Sequence, residues 1–125
     1  MESQNLQNKK IWIVEDDEGI LDITSLILRE YGYDPLNISE EEKLWSTLEQ
    51  SYPDLILLDI FLNKSDGVEI SRKIKENPKT NNIPIILISA DKDIEVKTKN
   101  AKANAFIKKP YDMNNLIQLI NNCLN

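Results

Sequence analysis

Pro53-Asp54-Leu55-Ile56-Leu57-Leu58-Asp59 is the stretch on which the reading of this chain turns. Leu55 to Leu58 is an apolar run with no alternation, the mark of a strand covered on both faces, and it stops at an acid. The same form occurs earlier, where Ile11-Trp12-Ile13-Val14 runs into Glu15-Asp16-Asp17. It recurs at Ile83 to Ile88, followed by Ser89-Ala90, and at Asn104 to Ile107, followed by Lys108-Lys109-Pro110. Tyr33 to Ile38 is a further strand, and its Pro35 suits a sheet edge, where a missing backbone donor costs little.

Helical patterns fill the intervals. Glu18 to Tyr31 carries Ile20, Ile23 and Ile27 at helical spacing, with Gly32 placed to close the helix. Ser39 and Glu42 fit a capping box ahead of Leu44, Trp45 and Leu48. Asp66-Gly67 reads as a turn before Val68, Ile70 and Ile74, and Asn77-Pro78 ends that helix. Asp91 to Asn100 is a helix poor in apolar residues. The last helix starts at about Asp112, an N-cap, with Leu116, Leu119, Ile120 and Cys123 on its inner face. Five strands alternating with five helices predict an α/β fold with a parallel sheet covered on both faces. Ligands of such sheets sit outside the carboxyl ends of the strands.

The length of 125 residues suits one domain: a polar, flexible arm over 1–9 and a folded unit over 10–125. No apolar run approaches the ~20 residues that span a bilayer, and Met1 to Lys10 lacks a signal peptide's apolar stretch, so a cytoplasmic location is expected. A net charge of −6 argues against direct binding to nucleic acid. The single cysteine, Cys123, excludes an internal disulfide. Histidine is absent, which removes the commonest general base and the commonest transition-metal ligand.

What remains is gathered at one sheet edge: Glu15, Asp16 and Asp17 after the first strand, Asp59 after the third, Ser89 after the fourth and Lys109 after the fifth. Carboxylates packed together need a cation or raised pKa values. The oxygens of Glu15, Asp16 and Asp59 suit a hard ion such as Mg²⁺, with Mn²⁺ as a substitute. Asp59 can then attack phosphorus, with Lys109 and the Ser89 hydroxyl contacting other phosphoryl oxygens. Each piece has a plainer reading. Glu15 to Glu18 suits the negative start of a helix, Asp59 a strand-ending turn, Ser89 a backbone cap and Lys109 the surface. Trp12, Trp45 and Tyr111 read as packing residues. Convergence of the set favours chemistry.

Ile13-Val14-Glu15-Asp16-Asp17, Pro53 to Asp59, Asp66-Gly67, Ile86-Leu87-Ile88-Ser89-Ala90 and Lys109-Pro110 together closely resemble the receiver domains of bacterial response regulators, including the chemotaxis type, over nearly all of Lys9 to Leu124. The resemblance implies a flavodoxin-like, doubly wound (βα)5 fold with strand order 2-1-3-4-5. It implies that Glu15 and Asp16 hold the metal and that Asp59 is both phosphoacceptor and metal ligand. The backbone carbonyl of Phe61 is a further ligand, Ser89 follows the phosphoryl group, and Phe106 is an aromatic rotamer switch. Lys109 is the family's lysine, and its bond to Pro110 is expected to be cis. The donor is a phosphohistidine on a sensor histidine kinase or phosphotransfer protein, or a small donor such as acetyl phosphate. Such a domain catalyses only its own phosphorylation and dephosphorylation and is not otherwise an enzyme.

The chain departs from the family pattern at Asn63, where proline is common, and at Lys102, where glycine is common. Phe61, two residues after Asp59, is bulky and is expected to shield an acyl phosphate from water. The fourth helix, with Lys92, Lys97, Lys99 and Lys102, suits a mobile element that meets a downstream protein or output domain. A monomer or weak dimer is expected, whether stand-alone or excised from a larger regulator. A nucleotide binder would need a Gly-, Ser- or Thr-rich loop where this chain has acids. An aspartate-nucleophile phosphatase would carry a second acid at position 61. The remaining alternative is a degenerate receiver that binds partners without phosphorylation, and its signature would be loss of Asp59, Lys109 or the acidic pair.

Overall fold

The computed structural model describes residues 8–125. The arm expected over 1–9 therefore lies mostly outside the described residues. Asn8 donates its backbone N–H to the Gly32 carbonyl (2.7 Å), and the Lys9 carbonyl accepts from Asp34 (2.8 Å). The strands β1 (Lys10–Val14), β2 (Asp34–Ile38), β3 (Leu55–Asp59), β4 (Ile85–Ser89) and β5 (Ala105–Lys108) form one parallel sheet in the order β2-β1-β3-β4-β5. The helices are α1 (Glu18–Glu30), α2 (Glu41–Leu48), α3 (Gly67–Glu76), α4 (Ile94–Ala101) and α5 (Met113–Leu124). This is the expected doubly wound α/β architecture, and Pro35 lies on an edge strand.

Alternate residues of a strand point to opposite faces, so an unbroken apolar strand feeds two cores. Trp12, Ile56, Leu58 and Leu87 pack with Leu44, Ile70, Ile74 and Ile94, from α2, α3 and α4. Ile11, Ile13, Leu55, Leu57 and Ile86 pack with Leu21, Leu28, Leu116 and Ile120, from α1 and α5. Burial of each large aliphatic side chain contributes about 1.5–3 kcal/mol, an upper figure because unfolded chains are already partly compact. Trp12 is buried, and Trp45 and Tyr111 pack half-buried against these cores.

Several local expectations need correction. The stripe Ile20, Ile23 and Ile27 is not the buried face of α1: Leu21, Thr24, Ser25 and Leu28 are, and Ile23 is 60% exposed. Two apolar stripes one residue apart compete, and the small hydroxyl residues let the second lie flat on the sheet. The Ser39–Glu42 capping box does not form. Helix α2 begins two residues past Ser39, its N-cap is Glu40, and that side chain caps nothing. Glu41 instead accepts from Trp45 Nε1 (2.8 Å). A short antiparallel hairpin, Phe61–Leu62 with Ser65–Asp66, stands where only a loop was expected. On α5, Ile117 is buried with Leu116 and Ile120, while Leu119 and Cys123 are half-buried.

Other signals hold. Asp112 caps α5 as expected, accepting from Asn114, and Asp17 and Asp66, not singled out as caps from the sequence, do the same for α1 and α3 by accepting from Ile20 and Val68. Gly32, with φ of 91°, follows α1. The Lys109–Pro110 bond is cis. Among the described residues no helix is long and apolar enough to cross a membrane.

Lys102 closes α4 in the left-handed region, with φ 60° and ψ 26°. A side chain there carries a Cβ clash that glycine lacks. Its ion pair with Glu76 (3.1 Å) joins two exposed groups and adds little. Lys102→Gly is therefore expected to raise stability by roughly 1 kcal/mol or less. Urea unfolding would show a higher midpoint at unchanged slope.

Candidate active site at the carboxyl edge of the sheet

β1 and β3 are neighbours, and each ends in a carboxylate just past its last apolar residue. Glu15 and Asp59 are each only 5% exposed. Lys109, delivered by the loop after β5, answers both: its Nζ lies 2.9 Å from Asp59 Oδ2 and 3.6 Å from Glu15 Oε1. Register brings it there, because Ser89 pairs with Lys108 and the Lys109 N–H donates to the Ser89 carbonyl (2.9 Å).

One ammonium does not neutralise two buried carboxylates. Burial first, then a hydrogen bond with Asp59 and its charge, push Glu15 up to about 7, against the downward pull of the Asp17 N–H and of Lys109. Burial pulls the Lys109 ammonium down, but the hydrogen bond to Asp59 and the charges of Asp59 and Glu15 outweigh it, and its pKa is raised. The Asp17 N–H holds Glu15 Oε2 (3.2 Å), and the Phe61 N–H holds Asp59 Oδ1 (2.8 Å).

The other sequence-selected residues lie around this core. Asp16 accepts from the backbone N–H of Asn63 (2.6 Å), which ties the β1 loop to the hairpin. Ser89 is buried at the end of β4, and its Oγ accepts from the Asp91 N–H (2.9 Å). Phe106 lies opposite Leu87 on β5 and packs half-buried against the core that includes Ile94 and Ala101 of α4. The ring of Phe61 is 60% exposed, with Lys97 Nζ 5.0 Å from its centroid. Asp17 serves the plainer role, as the cap of α1.

Glu15, Asp16, Asp59 and the Phe61 carbonyl offer only oxygen, a donor set that fits a hard cation and no soft one. The raised pKa of Glu15 comes first from burial and then from Asp59, so a second carboxylate charge is costly at this edge. As placed, the three carboxylates do not form a ready cage. Among the described residues no group of three or more acidic, histidine or cysteine side chains is arranged to hold an ion. Asp16 turns to the Asn63 N–H while Lys109 engages the other two carboxylates.

Gly67 was read from sequence as part of a turn and of the family-like pattern, with no packing role attached to it. It is the first residue of α3, and its N–H donates to the Ile60 carbonyl (2.8 Å). A Cβ there would stand 2.6 Å from the Asp59 carbonyl oxygen and 2.7 Å from Ile60 Cα. Only glycine lets α3 seat against the backbone that carries Asp59. No spacing rule marks this requirement, because the atoms it meets lie in another element.

With this geometry in place, a family model described as the response regulator receiver domain matches residues 11–121. The chain belongs to that family. Receivers are signalling domains of two-component systems. The chain is 32% identical over 106 residues to the alkaline phosphatase synthesis transcriptional regulatory protein PhoP of Bacillus subtilis, covering 83% of this chain and 43% of PhoP. It is 30% identical over 110 residues to the DNA-binding dual master transcriptional regulator RpaA of Synechocystis, covering 86% of this chain and 46% of RpaA. It thus spans less than half the length of either relative. The crystal structure of a CheY-like receiver domain protein from Methanospirillum hungatei superposes with a TM-score of 0.85 at 29% identity, covering 94% of each chain.

Two outcomes follow from the receiver's geometry. Gly67→Ala must displace backbone on one side, so it is expected to cost about 1–3 kcal/mol in urea unfolding. For Glu15, a folded pKa of about 7 against an ordinary 4.5 means that the folded chain holds the proton more tightly. Its contribution is full below pH 4.5 and is lost as pH rises through 7. With chelator present, Glu15→Gln should gain stability relative to the parent as pH rises through this window. Unfolding midpoints at its two ends check the sign.

Proposed function

We propose that this receiver accepts a phosphoryl group on Asp59 and uses it to reshape the surface around α4 and β5. The observation that carries the reading is the Lys109–Asp59 ion pair at the carboxyl edge, with Glu15 beside it and Ser89 on the neighbouring strand. A carboxylate held this way is a fixed nucleophile with a cation already aimed at it.

In the reaction, a carboxylate oxygen of Asp59 forms a bond to phosphorus. The bond from phosphorus to the donor's leaving atom breaks, and its electron pair departs with the imidazole nitrogen of a phosphohistidine or the oxygen of acetyl phosphate. The Phe61 N–H orients Asp59, so that one oxygen is held and the other faces Lys109. Lys109 transfers its charge from the carboxylate to the phosphoryl oxygens. Glu15, Asp16, Asp59 and the Phe61 carbonyl would hold Mg²⁺ or Mn²⁺, which when bound supplies the charge neutralisation that one lysine cannot.

Phosphorylation adds charge and acceptor oxygens at one point. The Ser89 hydroxyl turns toward them, and Phe106 moves into the space on the α4 side. A sensor histidine kinase or phosphotransfer protein is the donor, in the cytoplasm, and the reshaped surface meets a downstream protein or output domain. Retention of Asp59, Lys109 and the acidic pair supports this reading over a phosphorylation-independent binding module.

Incubation with acetyl phosphate and Mg²⁺, followed by intact mass measurement, is expected to show a gain of one phosphoryl group. Asp59→Asn and addition of chelator should each abolish the gain. A parent that takes up nothing, from acetyl phosphate or from a phosphorylated histidine kinase, would refute the reading.

A further inference from the structure

We propose that Lys97 is a latch that ties α4 to the rim of the phosphoacceptor site and holds the resting state against the phosphorylated one. The inference rests on the phosphoacceptor reading above and adds to it the link between site and helix.

Four contacts run in series from one side of the site to the other. Asp59 Oδ1 accepts from the Phe61 N–H (2.8 Å). The Phe61 ring carries the Lys97 ammonium 5.0 Å from its centroid. That ammonium is ion-paired with Asp91 Oδ2. The Asp91 N–H in turn donates to Ser89 Oγ (2.9 Å). Asp59 and Ser89 lie on paired strands, so the series closes into a ring around the acceptor's rim. Lys97 carries α4 into that ring.

The rest of α4 makes this contact count. Its far end is pinned to α3, where Ser71 Oγ donates to the Ala101 carbonyl (2.9 Å) and Arg72 Nε to the Asn100 carbonyl (3.0 Å). Its near end has one buried large apolar side chain, Ile94. Val96 is exposed, so Lys97 is the principal polar hold on that turn. The contact also gives the exposed Phe61 ring a partner, since a cation over an aromatic face is attracted to it. The charges of Asp93 and Asp66 also favour the ammonium form of Lys97, after the Asp91 pair, and the Asp93 N–H fixes Asp91 Oδ1 (2.8 Å).

When the Ser89 hydroxyl turns to a phosphoryl group, the Asp91 N–H loses its acceptor. The ion pair that Asp91 holds with Lys97 is displaced with it, and the near end of α4 is released. A contact made in one state and not in the other opposes the transition, so removing it must favour the phosphorylated form. A residue that merely supported the fold would not have that effect.

The test is titration of the parent, Lys97→Ala and Lys97→Arg with beryllium trifluoride, a phosphoryl mimic, at fixed Mg²⁺. Amide hydrogen exchange over residues 91–101 is followed in parallel. Lys97→Ala is expected to bind the mimic roughly fivefold or more tightly than the parent. Its mimic-free α4 should exchange faster, toward the rate of the loaded parent, while Lys97→Arg behaves as the parent does. Affinity of Lys97→Ala equal to the parent's overturns the latch. Weaker binding also overturns it, and would show that Lys97 attracts the anion instead. A parent that binds no mimic overturns the phosphoacceptor reading and the latch together.

Discussion

A parallel sheet with helices on both faces has room for charge only at its ends. In this chain the rule is felt most at β3, where every residue is buried and the last is an aspartate. Asp59 cannot be solvated freely and cannot be left unpaired, so the structure brings Lys109 to it from fifty residues away. That ion pair joins β3 to the loop after β5, and Glu15 joins β1 to the same point. Most of the chemistry available to the protein is set by this one arrangement: two carboxylates, one ammonium, and a deficit of positive charge.

The neighbouring loops are shaped to hold that arrangement. Asp17 caps α1 and its N–H reaches back to Glu15. Asp16 binds the backbone of Asn63, which fixes the hairpin beyond β3. Gly67 lets α3 begin against the Asp59 carbonyl. Each contact restrains backbone rather than adding a reactive group. This is how a surface-edge site keeps the geometry that positioning catalysis requires.

The fourth helix is built differently. Its polar exposed face and its single large buried aliphatic near the N-terminus leave it with modest anchorage, and its closing residue sits in a backbone region unfavourable to lysine. An element of low local stability is the one a small change at the site can move. Lys97 lies where such a change would be transmitted, between the aromatic ring beyond Asp59 and the acid beyond Ser89.

The sequence alone carries the fold class, the alternation of elements and the candidate acids, hydroxyl and lysine of one sheet edge. Unbroken apolar runs ending in Glu15, Asp59, Ser89 and ahead of Lys109 carry that information locally, because a two-sided strand admits no polar residue until it ends. It also determined the aspartate cap at Asp112 and the helix stop at Gly32, which depend on a few adjacent residues. Which apolar stripe of α1 faces inward is settled in three dimensions, since Ile20-Ile23-Ile27 and Leu21-Leu28 have the same helical period and differ only in what they meet. The same holds for the failed Ser39 cap, the hairpin at Phe61, the close approach of Gly67 and the bridge made by Lys97. Each depends on atoms from distant elements, and spacing along the chain does not record how those elements come together in space.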